Sequence, residues 1–89
     1  MTRIGVGIIG NGMATRVFHA PYILACPDLE LRAVVARSPG AQAPAEGVAI
    51  VPDVETLLAD PAIGLVVVAT PSATHAAIAR QVLEAGRHV

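Results

Sequence analysis

The stretch RIGVGIIGNGMAT, residues 3–15, joins a branched apolar run to a glycine-rich turn. Residues 3–9 are short, apolar and rich in β-branched side chains, which predicts a strand. Gly10-Asn11-Gly12 follows directly, and Met13 opens a segment of helical composition. A strand, a glycine-rich turn and a helix in this order are typical of the first unit of a parallel α/β sheet that holds a dinucleotide.

The turn has the properties that a diphosphate requires. Gly10 allows the tight turn, Gly12 leaves room beside the backbone, and a helix beginning at Met13-Ala14 offers unpaired N–H groups and a favourable dipole. Thr15 stands in place of the third glycine of the usual pattern, so the packing there must accept a β-branched side chain. A plain turn without ligand and an S-adenosylmethionine-binding fold both remain alternatives at this point.

Three further apolar runs predict strands, at residues 29–36, 48–51 and 65–69, and residues 88–89 begin another. The run at 65–69 is apolar throughout, as in a strand buried on both faces of a parallel sheet. Strands alternate with helical segments, which favours right-handed βαβ units. We therefore expect a Rossmann-type, doubly wound parallel sheet in a three-layer α/β/α arrangement. The sheet should be incomplete, with strand order 3-2-1-4 and residues 88–89 beside strand 4.

Helices are predicted over residues 13–25, 54–59 and 72–85. Pro21 should kink the first or start a second short helix, and Asp53 can cap the second. Ser72 or Thr74 can cap the third, and Gly86 can end it. The apolar face of the third helix is predicted to contain Ala76, Ala79, Val82 and Leu83. Residues 39–46 contain two prolines, so any helix there should be short or irregular.

Composition limits the classes of function. The 89 residues suffice for one small domain, and 54% hydrophobic with 15% charged residues indicates a globular chain. A net charge of −1, with arginine as the only strongly basic residue, offers no basic face to nucleic acid or an anionic membrane. We find no signal peptide or membrane span and expect a cytoplasmic protein. Cys26 is the single cysteine, which excludes an internal disulfide and a thiolate metal cluster, and we expect it to be buried and inert.

The end of the second strand bears on the choice of cofactor. In this fold an acidic residue there accepts hydrogen bonds from the 2′-hydroxyl of NAD, whereas arginine accommodates the 2′-phosphate of NADP. The chain has Ala36-Arg37-Ser38 at this point, with no acidic residue. We therefore expect NADP(H) rather than NAD(H), although Arg37 as a plain surface charge is the alternative. The missing carboxylate also disfavours an S-adenosylmethionine site, which would need it for the ribose diol.

A second half of the site is predicted after the strand at 65–69. Thr70-Pro71-Ser72 follows that strand, and His75 lies on the first turn of the next helix. Ligands of open parallel sheets bind at the carboxyl ends of the strands, where the strand order reverses, so this segment should meet Gly10–Gly12 across a crevice. Ser72 and His75 could equally be capping or packing residues, and no metal-binding cluster is apparent.

Four segments together resemble the Gfo/Idh/MocA family of oxidoreductases: VGIIGNGMA at 6–14, FHAP at 18–21, ATPSATH at 69–75 and LEAGRHV at 83–89. The resemblance extends over nearly the whole chain. It implies that Gly10, Asn11, Gly12, Met13 and Ala14 hold the pyrophosphate, that Ala36, Arg37 and Ser38 meet the adenosine end, and that Thr70, Pro71, Ser72 and His75 lie on the nicotinamide ribose side.

The resemblance also carries expectations beyond these residues. It implies an N-terminal NAD(P)-binding domain over residues 1–89, with a small-molecule substrate of sugar or polyol type bound by a second domain. That domain would supply the catalytic histidine, and a lysine by the nicotinamide would follow the present segment. The chain contains no lysine, so we expect no catalytic residue in it and no catalysis by it alone. A non-catalytic dinucleotide-binding module is the alternative, and a homo-oligomer of the whole protein is left open.

Overall fold

The computed structural model describes residues 3–38 and 40–89 and contains a four-stranded sheet. Its strands are β1 (Ile4–Ile9), β2 (Leu29–Val35), β3 (Ala49–Val51) and β4 (Ile63–Val68). All pairings are parallel and the order is β3-β2-β1-β4. His88 makes a parallel bridge to Leu65 of β4. The predicted fold class, strand order and position of the last strand are confirmed.

Helices cover both faces of the sheet. They are α1 (Ala20–Ala25), α2 (Val54–Leu58) and α3 (His75–Glu84). One apolar core includes residues of β1, β2 and α1, namely Val6, Ile8, Ala20, Ile23, Leu31, Val34 and Val48. The other joins the sheet to α2 and α3 through Ile9, Ala33, Val35, Leu57, Ile63, Val66 and Val82. Two separate cores make this a three-layer structure, as expected of a doubly wound sheet.

The first helical segment is divided, as Pro21 predicts. Its first part, Ala14–His19, is a π-helix, which the Ala20 N–H closes by donating to the Thr15 carbonyl five residues back. The second part is α1, with Pro21 in its first turn. A proline is tolerated there because the N–H that it lacks would have no partner within the helix.

The segment predicted as one helix over 72–85 begins differently. Ser72–Thr74 form a 3-10 turn, in which the Thr74 N–H donates to the Pro71 carbonyl at 2.9 Å, and α3 follows. No side chain caps α3, so the prediction that Ser72 or Thr74 does so is wrong. The Thr74 hydroxyl is instead bonded backwards along the chain, as described below. Gly86 has φ of 82° and ends the helix as predicted.

The buried face of α3 is also narrower than predicted. Val82 is fully buried and Ala79 half-buried, but Ala76 is exposed and Leu83 is 56% exposed. Ile78, which the prediction omitted, packs against the same core as Val82. The helix therefore packs on the sheet mainly through Ile78 and Val82.

Several element ends differ by one or two residues from the prediction. The largest difference is that β4 begins at Ile63, two residues before the predicted start at Leu65. Gly5 of β1 leaves room for this earlier start of β4, because a β-carbon on Gly5 would lie 2.0 Å from the Ala62 carbonyl oxygen. Cys26 is half-buried rather than buried.

The connection between β2 and β3 is irregular, as expected, and contains no helix among its described residues; Pro39 lies outside them. No helix in the described part of the chain has the length and apolar character needed to cross a membrane.

Candidate functional site

The site begins where β1 ends in the glycine turn. Gly10 has φ of 112°, and its N–H donates to the Val35 carbonyl of β2 at 3.0 Å. A β-carbon on Gly10 would lie 2.7 Å from the Ala69 carbonyl oxygen, just after β4. Gly10 is therefore required both by its backbone conformation and by the close approach of the chain that follows β4. This contact brings the two predicted halves of the site together.

Gly12 differs from Gly10 in facing open space. A β-carbon there would have no atom within 4 Å. Among the described residues, no acceptor is found for the N–H groups of Asn11 and Gly12. The helix starts at this point, since the Arg16 N–H donates to the Gly12 carbonyl at 3.1 Å. Free donors, empty space and a helix N-terminus fit an anionic group such as a diphosphate.

Thr15 replaces the third glycine without leaving a polar group unpaired. It is fully buried, and its hydroxyl donates to the Gly10 carbonyl at 2.7 Å. The side chain thus packs under the glycine turn and holds it from within. The packing at this position therefore accepts a β-branched side chain, as the sequence requires, because the buried hydroxyl has a hydrogen-bond partner.

A crevice of about 810 Å³ runs along the carboxyl ends of β1, β2 and β4. Its volume lies within the range of small-molecule sites. Eight of the predicted residues line it, namely Gly10, Asn11, Gly12, Ala36, Arg37, Ser38, Thr70 and Pro71. The other four predicted residues, Met13, Ala14, Ser72 and His75, are not part of its lining.

The part of the crevice beside Arg37 and Ser38 carries both signs of charge. Arg37 and Ser38 are exposed, and no hydrogen bond or ion pair of Arg37 is found among the described residues. Asp53 and Glu55, at the start of α2, line the same region. Sequence reasoning assigned Asp53 to a helix cap alone and did not place Glu55 at the site.

Asp53 caps α2 as predicted. Its Oδ1 accepts hydrogen bonds from the Thr56 hydroxyl at 2.6 Å and the Thr56 N–H at 2.7 Å. These two bonds hold the pKa of the Asp53 carboxyl below its usual value, and the bond from the Thr56 hydroxyl has the larger effect. The Glu55 carboxylate accepts a bond from the Gln81 amide at 3.2 Å. Both carboxylates are therefore already engaged within the protein.

The segment after β4 is held by side-chain hydrogen bonds. The His75 Nε2 lies 2.5 Å from the Thr70 carbonyl oxygen, which can only accept, so Nε2 carries the proton. The Thr70 and Thr74 hydroxyl oxygens are 2.6 Å apart, and the Thr74 hydroxyl donates to the Pro71 carbonyl at 2.7 Å. His75 thus acts on the backbone of Thr70, in keeping with the capping or packing role considered from the sequence.

Arg16 is a crevice residue that sequence reasoning missed. Its Nη2 donates to the Gln42 carbonyl at 2.8 Å, and the Asn11 amide donates to the same carbonyl at 3.2 Å. These bonds tie the β2–β3 connection to the glycine turn. The only signal in the sequence was the position of Arg16, one helical turn after Gly12; its partner is 26 residues away.

A second cavity of about 350 Å³ lies between β2, β3 and α2, and Arg32 lines it. Arg32 donates to Asp60 at 2.8 Å and also pairs with Glu30. The bond from Arg32 holds the pKa of Asp60 below its usual value. The charged side chains that line this cavity are already paired with one another, so the cavity offers little to a ligand. In the described residues we find no group of three potential metal ligands.

Comparison with known proteins agrees with this geometry. Residues 4–89 match the model of the Gfo/Idh/MocA family, described as an oxidoreductase family with an NAD-binding Rossmann fold. The chain is 43% identical over 88 residues to YdgJ, an uncharacterized oxidoreductase of Escherichia coli K12, covering 97% of this chain and 25% of that protein. It is 32% identical to IolW, the NADP⁺-dependent scyllo-inositol 2-dehydrogenase of Bacillus subtilis 168, covering 97% of this chain and 24% of that protein.

A solved structure shares the fold as well. GenD2 from gentamicin A biosynthesis, in complex with NAD, superposes with a TM-score of 0.82 at 37% identity, covering 98% of this chain and 26% of that one. The chain therefore spans about a quarter of the length of the relatives that it matches.

Proposed function

We propose that this chain, which belongs to the Gfo/Idh/MocA family of oxidoreductases as an NAD-binding Rossmann domain, is the N-terminal, cofactor-binding part of a dehydrogenase acting on a sugar or polyol. The main support is the crevice, because it is lined by both the glycine turn and the Thr70 segment. Gly10 packs there against the chain that follows β4. The scyllo-inositol activity of IolW supports a polyol-type substrate. The family assignment removes the S-adenosylmethionine alternative.

The proposed roles of the residues follow from their positions. The free N–H groups of Asn11 and Gly12 would bind the diphosphate, and the Thr70-Pro71 segment would meet the nicotinamide ribose. A nicotinamide held by these residues would supply hydride-transfer chemistry toward a CH–OH group of the substrate. Met13, Ala14, Ser72 and His75 would support the site from its edges, since they do not line the crevice.

We propose that the catalytic groups belong to other parts of the natural protein. A hydride transfer needs the substrate held at near-attack distance and a positioned base for its hydroxyl proton. His75, which bonds to a residue of the crevice, has its Nε2 committed to the Thr70 carbonyl. The isolated 89-residue chain should bind dinucleotide without turning over substrate.

Activity assays test this proposal. The natural protein that carries this chain should reduce NADP⁺ with a sugar or polyol from a panel, whereas the purified 89-residue chain, free of host enzymes, should not. Dinucleotide binding without turnover by the natural protein on the whole panel would favour the non-catalytic module instead. Turnover by the isolated chain would contradict the placement of the catalytic groups.

We further propose a preference for NADP(H) over NAD(H). Arg37 is free to make charge-assisted hydrogen bonds to a 2′-phosphate, and Ser38 can add another. One hydrogen bond to a charged group contributes about 1.5–3 kcal/mol, or roughly 10- to 100-fold in affinity. Because Arg37 is exposed, screening should keep the preference near the lower value.

Titration of NADP⁺ and of NAD⁺ into the wild type and into the Arg37→Ala variant tests the proposed preference for NADP(H). The substitution should weaken NADP⁺ binding about tenfold and leave NAD⁺ binding nearly unchanged. Arg80→Ala is the matched control, since Arg80 is exposed on α3 and does not line the crevice. Tighter binding of NAD⁺ by the wild type, or equal weakening of both cofactors, would show that Arg37 is only a surface charge.

A further inference from the structure

Two threonine hydroxyls at the crevice form a short chain of hydrogen bonds. Thr70 Oγ1 lies 2.6 Å from Thr74 Oγ1, and Thr74 Oγ1 lies 2.7 Å from the Pro71 carbonyl oxygen. Both threonines line the crevice. The Thr70 carbonyl is held separately by His75. Thr70 is therefore fixed at both its backbone and its hydroxyl.

The direction of this chain follows from counting protons. A carbonyl oxygen only accepts, so the single proton of the Thr74 hydroxyl must point to Pro71. Thr74 Oγ1 can then only accept from Thr70, and the Thr70 hydroxyl proton must point to Thr74. Thr70 has no proton left for a ligand and presents only lone pairs.

Helix capping does not account for Thr74. It occupies the N-cap position of α3, where a threonine hydroxyl ordinarily accepts from a helix N–H. The structure shows no such bond, and the hydroxyl is turned back to Pro71 and Thr70 instead. The helix thus gives up a favourable cap, while the Thr70 hydroxyl gains a defined orientation.

We propose that Thr74 is a positioning residue that orients the Thr70 hydroxyl as a pure hydrogen-bond acceptor, so that this end of the crevice selects a donor group of the ligand, a ribose hydroxyl. A phosphate oxygen, which can only accept, would find no donor in Thr70. This inference rests on the proposed function, because it assigns the ribose on the nicotinamide side of the dinucleotide to Thr70.

Binding measurements on the natural protein test the inference, with calorimetric titration of three probes. NADP⁺ and ADP-ribose both contain the ribose that lies on the nicotinamide side of the diphosphate, whereas adenosine 2′,5′-bisphosphate lacks it. Thr74→Val removes the hydroxyl at nearly constant shape and should weaken NADP⁺ and ADP-ribose about fivefold, the value of one ordinary hydrogen bond. It should leave adenosine 2′,5′-bisphosphate unchanged. Thr74→Ser, which keeps the hydroxyl, should bind all three probes within about twofold of the wild type.

A double-mutant cycle separates positioning from general damage. Thr70→Val should weaken NADP⁺ about fivefold or more, and adding Thr74→Val to it should have no further effect, because Thr74 acts only through Thr70. Thermal unfolding of each variant checks that the fold is intact.

The outcomes are distinguishable. Unchanged NADP⁺ binding in Thr74→Val, equal losses in Thr74→Val and Thr74→Ser, or weakening of all three probes would each overturn the positioning role. Weakening of NADP⁺ without weakening of ADP-ribose would overturn the assignment to a ribose hydroxyl. A wild type that binds no dinucleotide would overturn the proposed function and this inference with it.

Discussion

Replacing Arg87 with alanine should be one of the most destabilising single changes at a partly exposed position of this domain. Arg87 follows α3, and its guanidinium donates to four backbone carbonyls. The acceptors are Leu58 at 2.8 Å, Asp60 at 3.3 Å, Ile63 at 2.9 Å and Ala85 at 2.6 Å. These carbonyls belong to the end of α2, the α2–β4 turn, the start of β4 and the end of α3. One side chain therefore joins three elements.

The magnitude follows from the quality of these bonds. The bonds to Leu58 and Ile63 are partly buried and well within hydrogen-bond distance, whereas the one to Asp60 is long and the one to Ala85 is exposed. Hydrogen bonds that involve a charged group contribute about 1.5–3 kcal/mol each. Water can replace part of this at a half-exposed site, so we expect Arg87→Ala to lower the free energy of unfolding by about 2–3 kcal/mol. For a domain of this size that lowers Tm by roughly 10–20 °C.

Thermal and urea unfolding, followed by circular dichroism, measure the effect on the 89-residue chain. Arg80→Ala is the control for removal of an arginine: Arg80 is exposed on α3 with no hydrogen bond among the described residues, so its loss should change the free energy by at most about 0.5 kcal/mol. Arg87→Lys should recover less than half of the loss, because an ammonium group cannot span carbonyls of separate elements as the planar guanidinium does. A loss equal to that of the control, or full recovery with lysine, would refute the reasoning.

Two further predictions concern the glycine turn and the cap of α2. Gly10→Ala should destabilise the domain by about 1–3 kcal/mol, because φ of 112° and the Ala69 carbonyl both exclude a side chain. Gly12→Val should unfold near the wild-type temperature but lose NADP⁺ binding, because the space beside Gly12 is open. The same unfolding temperature for both variants would contradict this. The lowered pKa of Asp53 means that its cap stabilises the fold above the unfolded-state pKa, at roughly pH 4, and that this contribution disappears as the pH falls through the lower folded-state value. Asp53→Asn, which can still cap, should therefore lose less stability than the wild type between pH 7 and pH 3 in urea titrations, and an equal loss would count against the cap as the cause.

The sequence alone was sufficient for the architecture. Apolar runs of strand length alternate with helical segments, and these local patterns predicted a parallel sheet with the order that the structure shows. The Asp53 cap and the helix end at Gly86 were also predicted, because each depends on residues only a few positions apart. The glycine turn and the Thr70 segment were expected to meet because the carboxyl ends of parallel strands share one edge of the sheet.

Only the tertiary structure decided where the polar side chains find their partners. Arg87 and Arg16 bond to carbonyls 24 to 29 residues away, so nothing in their local sequence distinguishes them from surface charges. Thr74 lies where sequence rules predict a cap, yet its hydroxyl bonds to Pro71, because the 3-10 turn before α3 brings that carbonyl within reach. Spacing along the chain determines the helices and strands, whereas a flexible polar side chain bonds to whichever group the packed elements bring within about 3 Å of it.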